Sequence, residues 1–71
     1  MKLNYYRDTD SLYIELNSNS SVETKEIAEG LLIDFDKHGN IVGIDIDHAS
    51  KKMNLKILET KALPFTKTKI A

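Results

Sequence analysis

The stretch Gly30–Ser50 reads Gly-Leu-Leu-Ile-Asp-Phe-Asp-Lys-His-Gly-Asn-Ile-Val-Gly-Ile-Asp-Ile-Asp-His-Ala-Ser, and it limits the fold more than any other part of the chain. Residues 31–35 are bulky and residues 41–46 are rich in β-branched side chains, which suit a pleated, half-buried surface. Asp36-Lys37-His38-Gly39-Asn40 between them is turn chemistry. The Asp36 carboxylate can accept from the turn's own amides, and Gly39 takes a positive φ at no steric cost. The stretch is expected to form a central hairpin that runs into a helix.

Register decides which face of this hairpin is apolar, because a slip of one residue turns every side chain over. A three-residue loop sets Phe35 opposite Ile41, Ile33 opposite Gly43 and Leu31 opposite Asp45. A four-residue loop sets Phe35 opposite Val42, Ile33 opposite Ile44 and Leu31 opposite Ile46. The second gives one clean apolar face and is the expected register, reached through a bulge near Gly39. Leu32 and Ile41 then fall out of phase with the stripe. The second face is expected to need cover as well, from the C-terminal segment or from another chain.

Seventy-one residues make one domain. A chain of that size buries only roughly 60% of its unfolded surface. It has no cysteine, hence no disulfide staple, and small unstapled chains gain stability by associating. A homodimer is expected. The expected fold is α+β: a small antiparallel sheet of four to five strands in a meander of hairpins, with one C-terminal helix packed on one face. Residues 1–64 form the domain, and residues 65–71 a flexible tail.

Lys2–Tyr6 and Leu12–Leu16 read as the first two strands, the latter alternating Leu12, Ile14 and Leu16 with Tyr13 and Glu15. Arg7–Ser11 is a turn. Asn17–Ser21 is a polar loop, expected to be mobile. Val22–Ile27 carries three charges and has the character of an edge strand. Asp47 or Ser50 is the expected helix N-cap. The helix is expected to pass Met53 toward Leu58, with Asn54 as a weak point and 55–58 alternatively a strand. Pro64 ends regular structure.

Ten basic against eleven acidic residues give a net charge of −1, which argues against a dedicated nucleic-acid binder. The lysines gather at the end: six from Lys51 onward against the single acid Glu59. Such a run is usually a solvated face. No apolar run approaches the ~20 residues of a membrane span. Tyr5, Tyr6 and Asp8 interrupt any signal-peptide pattern, and a cytoplasmic location is expected.

Tyr6-Arg7-Asp8-Thr9-Asp10-Ser11-Leu12-Tyr13-Ile14 resembles the opening block of a family of short prokaryotic proteins, the domain-of-unknown-function family 2283. Gly30-Leu-Leu-Ile-Asp34-Phe-Asp36 resembles its second block. Gly39-Asn-Ile-Val-Gly43-Ile-Asp45-Ile46, followed by Ala49-Ser50, resembles its third. The resemblance covers the chain from Met1 to about Pro64. Arg7 and His48 depart from the residue types usual there. The resemblance implies a small sheet followed by a helix and supplies no reaction.

Asp34, Asp36, Asp45 and Asp47 recur at i, i+2 spacing, which places each pair on one face of its strand. Four such carboxylates are candidate ligands for Mg²⁺ or Ca²⁺. The simpler expectation is a wet face, with Asp36 in the turn and Asp47 capping the helix. His38 and His48 lack the further ligands that a zinc site needs. No nucleophile elbow or phosphate loop is present, and so small a chain leaves little room for a pocket of roughly 300 Å³. No catalytic residue and no cofactor is expected.

Tyr5, Tyr6 and Tyr13 on the first hairpin could stack single-stranded bases, with the Lys-rich end as a charged accessory. Without interleaved basic residues they are better explained as interface anchors. The expected function is therefore a protein–protein interaction module using Leu32, Ile41, Tyr13 and Tyr6, homodimeric or paired with another protein. An antitoxin-like or regulatory role is its most concrete form. A nucleic-acid binder and a metal-dependent enzyme using the aspartates are the alternatives.

Overall fold

The structure, a computed structural model, describes residues 1–64; the expected tail lies outside them. Five strands, β1 (Lys2–Tyr6), β2 (Ser11–Glu15), β3 (Glu23–Ala28), β4 (Leu31–Phe35) and β5 (Ile41–Ile46), precede one helical turn, α1 (Ala49–Lys52). They form a single sheet in the order β1-β2-β5-β4-β3, with every neighbouring pair antiparallel. The expected meander is corrected at one point: β5 lies between β2 and β4 rather than at the end. The sequences explain the order. β5 (IVGIDI) is apolar and takes the centre, whereas every residue of β3 (ETKEIA) is exposed at an edge, where charge is tolerated.

One face of the sheet is apolar. The pairs Leu3↔Ile14, Tyr5↔Leu12, Leu12↔Ile46, Ile14↔Ile44, Leu31↔Ile46 and Ile33↔Ile44 place these side chains together. The other face carries Asn4, Tyr6, Tyr13, Asp45, Leu32, Asp34 and Thr24, aligned by the intervening pairs.

The central hairpin uses both registers that the sequence allows. Its tip is the three-residue loop: the Asp36 amide donates to the Asn40 carbonyl, Gly39 has φ +81, and Phe35 pairs with Ile41. Its body is the four-residue register, with Leu31↔Ile46 and Ile33↔Ile44. A β-bulge beside Phe35 converts one into the other, so the bulge lies in β5 rather than at Gly39. Val42 thereby enters the core at 4% exposure, while Ile41 stays 41% exposed.

The polar loop, residues 17–21, is a crossover with tethers at several points. It carries the chain from β2 past the hairpin tip to β3, and it is bonded along its length. The Asn17 amide donates to the Ile41 carbonyl, the Asn19 amide to Asp36, and the Val22 N–H to the Phe35 carbonyl.

At the opposite end α1 is bound to two turns. The Ala49 N–H donates to the Asp10 carbonyl, the Asp47 N–H to the Gly30 carbonyl, and the Lys52 ammonium to the Glu29 carbonyl. Its N-cap is His48 (φ 53), whose own side chain makes no capping hydrogen bond. This corrects the assignment to Asp47 or Ser50. The helix also stops at Lys52, short of the expected Leu58, and Met53 is already extended. The Asn54 side chain accepts from the Lys56 amide, a local bond that competes with helix. Residues 55–58 form neither helix nor strand.

One helical turn of four residues is about 6 Å long, whereas five strands span about 19 Å. The core is correspondingly thin: among the described residues only Leu12, Val42 and Ala49 are buried hydrophobic residues, and no large side chain is fully enclosed.

Candidate functional site

The polar face is organised by Tyr13. Its ring crosses β5, and its Oη donates to Asp34 Oδ2 on β4 at 2.7 Å. It crosses directly above Gly43, where any Cβ would collide with the phenol. The other oxygen of Asp34 accepts from the Thr24 hydroxyl on β3. A hydrogen-bonded chain thus ties β2, β4 and β3 together over the top of β5. Holding a carboxylate pushes the Tyr13 pKa up to about 12, first through that hydrogen bond, then through burial and the Asp34 charge. The phenol therefore keeps its proton across the neutral range and remains able to donate to Asp34.

Beside this chain, Tyr6, Thr9, Ser11, Tyr13, Asp45, Asp47 and His48 line a shallow, open depression of about 500 Å³. A space of this size was not legible in the sequence, because it forms where the strand ends meet the N-cap of α1. The Ser11 hydroxyl donates to Asp47 at 3.3 Å. Burial, followed by the charges of Asp47 and Asp34, raises the Asp45 pKa above the usual carboxylate value. The lining is rich in acceptors and open to water.

The four aspartates do not converge. Asp34 is engaged by Tyr13 and Thr24, and Asp45 and Asp47 border the depression. Asp36 lies in the hairpin tip, buried to 4% exposure. There its carboxylate accepts from the His38 and Asn40 amides and from the Asn19 and Asn40 side chains. These donors, the Asn40 amide foremost, lower its pKa to about 2. Among the described residues no group of three or more His, Asp and Glu side chains is placed to hold a metal ion.

The tyrosines do not make one aromatic patch either. Tyr6 lies with Tyr13 on the polar face, whereas Tyr5 pairs with Leu12 on the apolar one. Of the expected interface residues, Leu32 is half-buried opposite Asp45 on the polar face, and Ile41 sits at the bulge. Polar side chains, rather than a second apolar stripe, therefore surround Leu32.

Asp10 is the residue that sequence reasoning passed over. It adopts φ 52 at the end of the first turn. Its carboxylate accepts from the Tyr5 hydroxyl at 2.7 Å and from both the amide and hydroxyl of Ser50. It thereby serves α1 as a cap from forty residues away. Tyr5 and Ser50 both hold its pKa below the usual value. The only signal was a short acid closing a turn, which any Asx-type turn would also give.

The apolar face is the other candidate surface. Leu3 and Tyr5 are each 44% exposed, and Ile14, Ile33, Ile44 and Ile46 are only half-buried. Lys25 stands at its margin, with its ammonium 5.5 Å from the Phe35 ring.

No helix among the described residues is long and apolar enough to cross a membrane. No solved structure matches the chain. An uncharacterised protein of Methanocaldococcus jannaschii, MJ0789, is 36% identical over 55 residues, covering 78% of this chain and 47% of that protein. The chain thus spans about half the length of the curated relative it matches. The family model described as "Protein of unknown function (DUF2283)" matches residues 2–50, which take in all five strands and the start of α1. On that match the chain belongs to the DUF2283 family.

Proposed function

We propose that the chain is a protein–protein interaction module that works as a homodimer, with the apolar face of one sheet packed on that of a second copy. The observation that carries this reading is that, among the described residues, no second layer of secondary structure covers the apolar face. Stable domains bury a sheet's apolar face against another layer, and α1 is too short to provide one. Exposed Leu3 and the half-buried Ile14, Ile33, Ile44 and Ile46 form one contiguous apolar row, the kind of surface that marks association. Two such faces packed about a two-fold axis complement each other without any further specialisation.

The test is the absolute mass in solution, by light scattering over a dilution series, for the wild type and Ile33→Glu. Ile33 pairs across the strand with Lys25, so the new carboxylate has a partner in the monomer and the fold survives. Face pairing predicts that the wild type contains at least two chains and that the variant loses this association. A wild type that stays at one chain mass at the highest concentration overturns the reading.

A further inference from the structure

The two edges of the sheet are built in opposite ways. β3 carries Glu23, Lys25 and Glu26, and its pairing is broken by a bulge between Glu26 and Ala28. Charge and irregularity are the usual means of preventing strand addition. β1 has neither protection along its length. All five of its residues pair with β2 in unbroken register. Its only charge, Lys2, lies at one end and is directed to Glu15 on the neighbouring strand at 3.7 Å. Leu3, Tyr5 and Tyr6 are 44%, 44% and 55% exposed. Among the described residues nothing pairs with the outer side of β1.

The β1 sequence, Lys-Leu-Asn-Tyr-Tyr, is also complementary to itself when reversed about its centre. An antiparallel copy aligned at Asn4 sets Leu3 opposite Tyr5 on the apolar face and Lys2 opposite Tyr6 on the polar face. Aliphatic–aromatic pairs directly opposite each other are favourable cross-strand partners, and an ammonium beside a phenol ring is attracted to it. The central pair is Asn4 with Asn4, which is neutral. A two-fold axis through that point keeps both apolar faces on the same side.

We infer that the outer edge of β1 is a second association surface, occupied by β1 of another copy in antiparallel register about Asn4. The result is a continuous ten-stranded sheet. This goes beyond face pairing and rests on a different observation, the contrast between the two edges. Where both surfaces act, the assembly holds four chains; where the edge acts alone, it holds two.

The experiment is a charge swap at the axis, using Asn4→Glu and Asn4→Lys, each measured alone and then mixed in equal amounts. Like charges directly opposite are destabilising in a strand pair, so each variant alone should fall to half the wild-type mass. Opposite charges across the axis should restore the full mass in the mixture. Wild-type mass in either single variant, or a mixture that stays at half mass, overturns the inference. The arms also separate the two surfaces. Single variants that fall from four chains to two leave face pairing intact, whereas a fall from two chains to one shows that the edge alone was holding the copies. Circular dichroism of each variant confirms that the fold is retained.

Discussion

The two faces of the sheet come from the same five strands and solve opposite problems. The polar face is closed within one chain: Tyr13, Asp34 and Thr24 satisfy one another across four strands, and Gly43 leaves the space they need. The apolar face is open: its side chains need a second layer, and the one helix among the described residues is a single turn. Specific hydrogen bonds therefore fix the shape of the polar face, while the apolar face keeps the surface that the proposed association would bury. A face can be finished internally only where the sequence supplies partners, and alternating isoleucines supply none to each other.

Substitutions can set the two faces against each other. The largest effect is expected on the open face: Ile33→Glu should weaken self-association at least a hundredfold, about 3 kcal/mol, as read from the mass over dilution. On the closed face, Gly43→Ala should cost about 2–3 kcal/mol in chemical denaturation by forcing Tyr13 off its path. In a Tyr13→Ala background the same change should cost little, and that non-additivity identifies the crossing as the cause. Tyr13→Phe keeps the ring and removes the hydroxyl, so about 1–2 kcal/mol should be lost, with no change in mass. If it altered the mass, the two faces would not be independent.

The smallest effects concern protonation, and they run in opposite directions. Asp36 has a folded pKa of about 2, below the usual carboxylate value near 3.9. Its stabilising contribution is complete above the unfolded value and is lost as pH falls toward 2. Thermal melts should show this acid loss in the wild type and a flatter profile in Asp36→Asn, which starts from a lower Tm. Asp45 is raised by burial and by its acidic neighbours. It favours the fold when protonated, and that contribution is lost as pH rises through its folded value. Asp45→Asn should therefore raise the Tm slightly at neutral pH, with the gain disappearing in acid.

The sequence carried most of the secondary structure, because period-two alternation and turn chemistry act over a few residues. Leu12–Leu16, the Asp36–Asn40 turn and the edge character of residues 22–27 all belong to that range. The hairpin register was legible as two competing answers, and the structure keeps both by inserting a bulge. What stayed hidden depends on distant partners. The place of β5 beside β2, the capping of α1 by Asp10 and the passage of Tyr13 over Gly43 each join residues at least 28 apart. The end of the helix was misjudged because apolar residues at 53, 55, 57 and 58 satisfy a helical pattern, while the Asn54 side chain takes the backbone elsewhere.

The position of β5 has a consequence for how the chain acquires its shape. The strand that emerges fifth sits third in space and joins the first hairpin to the strands that follow. Until residues 41–46 exist, the β1–β2 ribbon has no partner on its inner side, and an isolated two-stranded ribbon is marginal in water. The first hairpin must therefore wait with both margins bare from the completion of Glu15 until Ile46 has been made. Assembly becomes cooperative only when the last strand enters between the pieces, so a chain truncated before residue 41 should lose the whole sheet rather than one strand of it.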